Sequence, residues 1–477
     1  MATNSSNTHV DFRVNRALFY PNDSGEPANI TGLITSFNYV EDVTSPFVAA
    51  TLNIVDSSGF INSAPIQGGE EVVIAIQPAG SDQEFEYSFR CWQISNRFAR
   101  QQKQAYVMNL ISGEAIQNEL TRIRRSLSGN PESIVVDLVS NELKSGKPVY
   151  SEPSLFEMKF VANMRRPFDI IADIAVKCVS PKADYSGSAK PSQNKAGGTQ
   201  TNKIKGSGGF FFWENYRGFN FFAVDSLCAD DKSKLKSDKL EAPAWGPYVE
   251  RLGGQDDTGD TRFHILESQF ASEINLLESM RKGKYSSLLV FFNHSTGQYE
   301  EYVYKLSDTY SNMAHLGGQE SLSLIPVQNI DLSEYPTRIM SMLLDHESWY
   351  NEVTPASPED KDGSTSPAKF ADWTKYYAAQ SIARYQLLKN QICTIVVPGN
   401  ASICAGDKID IRLVNKVGTA DGRKEPFDKE SSGVYLIMSA THNYDLTEGS
   451  NGKFYTTLRL VRDSFGMKDT DSNHGNK

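Results

Sequence analysis

The chain reads as an α+β protein, with an all-β region at each end and a mixed α/β and hairpin-rich middle. Two observations predict this. Apolar residues recur at period two near both ends, and helical spacing is confined to segments between and just before those runs. In the first region Val48, Ala50, Leu52 and Ile54 alternate, as do Val72, Ile74 and Ile76, then Phe85, Tyr87, Phe89 and Cys91, then Tyr106, Met108 and Leu110. Successive strand side chains point to opposite faces, so each run turns one face to a core. In the second region Ile392 to Val397 stops at Pro398-Gly399-Asn400, and Lys408 to Leu413 alternates. Val434 to Ala440 and Phe454 to Val461 then flank the polar, Gly-containing stretch His442 to Lys453. Strands punctuated this way form a small antiparallel barrel or sandwich.

At 477 residues the chain exceeds what one core serves, which points to about three domains. Hydrophobic residues at 39% and charged residues at 22% are globular proportions, and 11% aromatics suit a strand-rich chain. Cys91, Cys178, Cys228, Cys393 and Cys404 are odd in number and lack close zinc-site spacing, so folding in a reducing cytosol is expected. Met1 to Val10 is polar and no apolar run reaches span length, which predicts a soluble chain without leader or membrane anchor. A net charge of −10 argues against general nucleic-acid binding. It fits a channel that DNA slides through better than a clamp.

Between the two β regions, Ser112 is placed to cap a helix with Ile116, Leu120, Ile123 and Leu127 on one face. Asn130 as N-cap and Pro131 at the first helical position open a second, carrying Ile134, Leu138 and Val139 and ending near Gly146. A third starts at Pro167 with Ile171, Ile174, Ala175 and Cys178, and Leu155 to Val161 reads as a strand. Pro181 to Gly209 is rich in Ser, Lys, Gly and Asn and cannot order itself by burial. Phe210 to Phe222 then forms two aromatic strands around a Glu-Asn-Tyr-Arg-Gly turn. Phe ladders at strand spacing are core rather than a sugar- or base-stacking platform, with Trp213 and Tyr216 the two expected to be exposed. A helix with Ile274, Leu277 and Met280 precedes a hairpin, Ser287 to Phe292 and Tyr299 to Leu306 around Asn293 to Gly297. Pro355 to Lys369 is a linker, and Tyr376, Ala379, Ala383 and Leu387 share a helix face beyond it.

The chemistry-bearing residues read as structural. Gly206-Ser207-Gly208-Gly209 lacks a following Gly-Lys-Ser/Thr and runs into a strand, so it is a joint rather than a phosphate loop. Asp345-His346-Glu347 are consecutive and cannot converge on one ion from a helix. His294-Ser295 sits in a turn without a Gly-x-Ser-x-Gly elbow. His442 reads as a half-buried structural histidine, and Cys393 and Cys404 as small core residues. No catalytic, cofactor-binding or metal-ligating residue is assigned, and no cofactor is expected.

The helix from Ala378-Ala379-Gln380 to Asn390, the Val-Pro-Gly-Asn strand end, Ala405-Gly406-Asp407, Ser432 to Ile437, and Leu460-Val461-Arg462-Asp463-Ser464-Phe465-Gly466 occur in that order. This order resembles the baseplate hub of contractile-tailed bacteriophages, and the aromatic hairpin agrees with it. The resemblance implies two small tube-like antiparallel β-barrel domains, at 1–118 and 371–466. Between them it implies an α/β insertion ending in a mobile linker at 119–208, an aromatic β-hairpin and helix region at 209–354 and a linker at 355–370; a polar tail follows at 467–477. Gly69-Glu70-Glu71-Val72-Val73-Ile74-Ala75-Ile76 and Gly406-Asp407-Lys408-Ile409-Asp410-Ile411-Arg412-Leu413 share the order Gly, acid, any residue, then aliphatics at period two. A duplicated barrel would produce such a match.

The function implied is structural and non-enzymatic: a homotrimer with pseudo-six-fold symmetry in the tail baseplate of the virion, assembled in the host cytoplasm. Its implied partners are the tail tube protein, the central spike protein, other baseplate proteins and the tape measure protein, with DNA passing through without specific binding. A hub or spike component of a contractile injection or secretion system shares the implied fold. A tail-associated glycan hydrolase or peptidase is the enzymatic alternative, and it needs paired carboxylates or a metal constellation in a cleft. Limited proteolysis is expected to nick Pro181 to Gly208 at least as fast as Pro355 to Lys369. Survival of the first segment while the second is cut would overturn the composition argument.

Overall fold

The computed structural model describes residues 11–22, 25–64, 66–78, 82–100, 103–155, 157–181, 207–230, 239–240, 243–250, 261–272, 275–293, 298–310, 313–318, 332–343, 377–415, 427–446 and 452–468. Strands dominate, and most belong to one large sheet. The first region supplies β1 (Asp11–Tyr20), β2 (Ile34–Asp42), β3 (Ala49–Asp56), β4 (Glu71–Pro78), β5 (Phe85–Arg100) and β6 (Lys103–Ile111). The alternation read from the sequence is the burial pattern. Ala50, Leu52, Ile54, Val72, Ile74, Ile76, Met108 and Leu110 lie in one core with at most 2% exposure. Burying such side chains stabilises by about 1.5–3 kcal/mol each, which fixes the strand register.

The middle carries helix α1 (Pro167–Lys177) and the aromatic hairpin of β7 (Phe210–Asn215) and β8 (Gly218–Ala223). Phe210, Phe212, Phe219 and Phe221 pack on Ile170, Ile171 and Ile174 of α1 in a second core. The last region supplies β9 (Ala244–Glu250) and β10 (Glu267–Ser272), then helix α2 (Ala378–Leu387). It continues with β11 (Gln391–Pro398), β12 (Lys408–Arg412), β13 (Gly433–Asp445) and β14 (Gly452–Arg462). Ala379, Ala383 and Leu387 are buried together on α2 as their spacing predicts, and Tyr376 lies outside the described residues.

The pairing order repeats. The first region runs β2-β3-β6-β5-β4-β1 and the last runs β10-β11-β14-β13-β12-β9, so six strands taken in chain order pair alike in each. The difference lies in the first strand, which is antiparallel to its neighbour in one region and parallel in the other. The segment match read from the sequence sits at the same place in both. Gly69 and Gly406 each have φ +94, a left-handed conformation that favours glycine. Gly69 N–H donates to Cys91 O and Cys91 N–H to Glu70 O; Gly406 N–H donates to Ile437 O and Ile437 N–H to Asp407 O.

The two regions share a sheet. β13 pairs with β2 and β14 pairs with β1, so the pairings of the first region close into a circuit through the last. The two long strands serve both cores: Tyr435, Ile437, Leu458 and Leu460 face the last core, and Tyr444 and Phe454 reach into the first.

Several boundaries differ from the sequence reading. β13 continues to Asp445 and β14 begins at Gly452, so His442 lies within a strand, because inter-strand bonds to β2 extend the ladder past the apolar run. The helix after Ser112 stops at Leu120, which is 74% exposed. Ile123 and Leu127 are buried through a β-bridge and a short strand instead. Neither Ser112 nor Asn130 caps with its side chain, and the helix from Pro131 ends its α-form at Asp137. Leu277 is 66% exposed on the short helix Leu276–Arg281. At the end of the segment read as linker, Ser207–Gly208 pairs with Val179–Ser180; residues 182–206 and 344–376, which include Asp345-His346-Glu347 and Pro355 to Lys369, lie outside the described residues, as does His294-Ser295.

Candidate functional site

Polar groups from the first β region, the aromatic hairpin and the last β region converge on the turn Ala405-Gly406-Asp407, between β11 and β12. A Cβ on Gly406 would sit 2.4 Å from Cζ2 of Trp213, so the β7 indole packs directly on the glycine backbone. Trp213 is 1% exposed, contrary to its expected exposure, because its Nε1–H also donates to Ala405 O at 3.0 Å. Asn215 Nδ2 donates to the same carbonyl at 3.2 Å. Tyr216, the other residue expected at the surface, is 37% exposed.

Two carboxylates flank this turn. Asp407 receives Arg217 through both Nη1 and Nη2 at 2.7 Å, Trp245 Nε1 at 2.8 Å and Cys404 N–H at 3.1 Å. A bidentate guanidinium contact is the strongest common form of this pairing. Burial lifts the Asp407 pKa and opposes ionisation of Arg217, yet the contact outweighs burial for Arg217, whose pKa rises. Glu41, on β2 and 0% exposed, accepts from Tyr39 Oη at 2.8 Å, Tyr216 N–H at 2.6 Å and Ala405 N–H at 2.8 Å. Burial outweighs these three hydrogen bonds and pushes its pKa up to about 7. Glu41 thus ties the first β region, the aromatic hairpin and the last β region at one carboxylate.

A second buried junction occupies the segment Arg462-Asp463-Ser464. Asp463 contacts His315 Nδ1 at 2.8 Å, Arg384 Nη1 at 2.7 Å and Leu316 N–H at 2.9 Å. Burial raises its pKa, but His315 and Arg384 more than offset this and hold it well below the usual carboxylate range. Arg384, on α2 and 0% exposed, also lies 2.7 Å from Asp225 as an ion pair and donates to Ala314 O. Arg462 stacks over Tyr435 at 4.4 Å and donates from Nε to Gln391 Oε1 at 2.8 Å. Burial lowers its pKa, outweighing the opposing pull of Tyr435, Asp463, Glu430 and Asp428.

Glu41, Asp407, Asp463, Arg384 and Arg462 are all buried. His442 is 1% exposed rather than half-buried as read from the sequence, because it lies within β13 with Nε2 on Ile403 O at 3.1 Å, and burial lowers its pKa to about 4. Cys393 and Cys404 are buried thiols outside any disulfide, as expected of core residues. A shallow groove of about 320 Å³ is lined by Glu250, Glu267, Ser268, Gln269 and Thr394. Glu250 is engaged there by Val414 N–H at 2.9 Å and Ser268 Oγ at 3.4 Å. The sequence reading found the Ala405-Gly406-Asp407 and Asp463 segments as ordered motifs, and it missed Glu41. A signal was present: Phe37, Tyr39 and Glu41 alternate on the inward face of one strand, and a carboxylate at such a position needs donors.

No family model matches the chain, and no curated protein matches it. Solved structures of tail proteins do. The chain is similar to tail proteins, two of them from prophages, along almost its whole length. The tail protein from Neisseria meningitidis MC58 is 11% identical with a TM-score of 0.47, covering 95% of this chain and 97% of that one. The 43 kDa tail protein of prophage MuSo2 from Shewanella oneidensis is 10% identical, with a TM-score of 0.46 and coverage of 94% and 99%. Prophage tail protein gp18 from Listeria monocytogenes EGD-e is 8% identical, with a TM-score of 0.43 and coverage of 93% and 94%.

Two predictions follow from the junction. Arg217→Ala, which strands the buried Asp407, is expected to cost about 3–5 kcal/mol in denaturant unfolding, whereas a surface substitution such as Arg122→Ala changes it little. Glu41 has a folded pKa raised above its unfolded value, so its contribution to stability is full below about pH 4.5 and is lost as pH rises through about 7. Unfolding free energy of the wild type relative to Glu41→Gln should therefore fall by about 3 kcal/mol across that window. A pH-independent difference would show that Glu41 is ionised throughout.

Proposed function

We propose that this chain is a structural hub of a contractile phage tail, a trimeric adaptor between the six-fold tail tube and a three-fold central spike. The observation that carries the reading is the repeated pairing order of β1–β6 and β9–β14 with its matching Gly-acid turns. The closed circuits of pairings support two small barrels per chain, the second completed where β9 pairs with His264–Ile265 just ahead of β10. Three copies place six similar barrels in a ring. That ring offers a pseudo-six-fold face to the tube protein, and the non-repeated middle offers a true three-fold face to the spike. DNA leaves through the opening. The ordered sequence motifs support the same reading, since two of them, around Asp407 and Asp463, are the buried ties holding barrels and middle at a fixed relation.

An adaptor must transmit load between partners without its parts shifting, and buried multi-donor carboxylates suit that task better than exposed ion pairs, which contribute little. Mass photometry with and without the spike partner, followed by reconstruction of the ring, tests the proposal. The expected species is a trimer in the assembled particle whose projection shows six similar densities. A true hexamer of this chain, or a ring without six similar densities, would overturn it.

A further inference from the structure

Charge is segregated along the β5–β6 hairpin in a way the net value conceals. From Tyr87 to Gly113 the chain carries Arg90, Arg97, Arg100 and Lys103 and no Asp or Glu, within a protein of net charge −10. Arg90 is neutralised by Glu71 at 3.4 Å. Arg97 is held by neutral partners, Asn62 Oδ1 at 3.0 Å and Gln104 Oε1 at 2.7 Å, which fix the guanidinium and leave its charge uncancelled. The carboxylate of Asp56, on the strand facing Gln104, is 1% exposed and spent on the N–H groups of Ser58, Gly59 and Ile61. Trp92 and Phe98 stand 52% and 63% exposed on the same strand.

Beyond Arg90, β5 leaves β4, and among the described residues it pairs with β6 alone. An open edge of this kind invites strand addition by a protein, but here two bulges, at Cys91/Gln93 and Ser95/Phe98, and a left-handed Asn96 at φ +52 break its register. What the hairpin presents is two cations of β5, Arg97 and Arg100, and Lys103 of β6, beside two exposed aromatic rings, a composition that suits a polyanion carrying stackable bases. We propose that the strand from Trp92 to Arg100, with Lys103, is a docking surface for the phosphodiester backbone of DNA. Its place on the DNA path rests on the hub reading above; the binding itself rests on this surface.

Three neutralised phosphates give a salt slope of about −2.7, so affinity falls about 40-fold between 50 and 200 mM salt. A single chain therefore holds DNA at low salt and releases it near physiological salt, as a conduit requires. The test is fluorescence anisotropy of a labelled 30-base-pair duplex and of a matching single strand with the full chain, at several salt concentrations. The expected result is salt-steep binding that R97Q/R100Q/K103Q abolishes. R100Q/K103Q, which leaves the Arg97 bonds to Asn62 and Gln104 in place, should retain a slope of about −0.9. W92A should weaken the single-strand arm alone if bases stack there, and a thermal melt confirms folding of each variant. Absence of binding at 50 mM salt, or a slope unchanged in the triple variant, would overturn the proposal. So would self-association abolished by the triple variant without DNA binding, which would assign the strand to an acidic face of a second copy. A chain that forms trimers but fails these assays refutes the DNA surface and leaves the hub reading standing; DNA binding by a chain that never forms trimers does the reverse.

Discussion

The Ala405-Gly406-Asp407 turn is the constraint on which the remaining geometry depends. It has no side chain at its centre, so Trp213 reaches the backbone, and its flanking amide and carbonyl are taken by Glu41, Trp213 and Asn215. The bidentate contact of Asp407 with Arg217 closes the arrangement. Buried charges of this kind add little net stability against an apolar replacement, but each one left unpartnered is costly. The consequence is an all-or-none fit. The hairpin, the first β region and the last must be seated together, or several donors and acceptors lose partners at once.

The same logic holds at Asp463, where α2, the His315-Leu316 segment and the end of β14 meet. Both junctions sit beside strands of the last β region, which also lends β13 and β14 to the first. A chain with two six-strand units of like pairing order could have left them as separate bodies joined by a linker. Here the shared sheet and the two carboxylate junctions make their relation a matter of hydrogen bonds rather than of linker length. That is a mechanical property: Glu41, Asp407 and Asp463 are buried and committed to internal partners.

Charge illustrates how composition misleads at the level of a surface. A net charge of −10 spread over 477 residues says little about any one strand, and from Tyr87 to Gly113 the chain carries cations and no Asp or Glu. Burial compounds this. Glu41, Asp407 and Asp463 are counted in the net charge, yet all three lie within the fold at no more than 1% exposure, so the field at the surface is set by others.

The sequence by itself determined which residues are inside: period-two runs such as Val48 to Ile54 and Val72 to Ile76, and the Ala379, Ala383, Leu387 stripe, became core as read, since local periodicity fixes which face an element can bury. It also marked the Gly-acid turns, because a glycine held at positive φ beside a carboxylate leaves a local signature. Only the tertiary structure decided what those turns hold. Glu41 and Ala405 are 364 residues apart, and Arg217 and Asp407 are 190, separations at which no local pattern can specify a partner. It likewise extended β13 and β14 beyond their apolar runs and buried Trp213 against Gly406, because ladder bonds and close backbone approach come from neighbours that are distant in the chain.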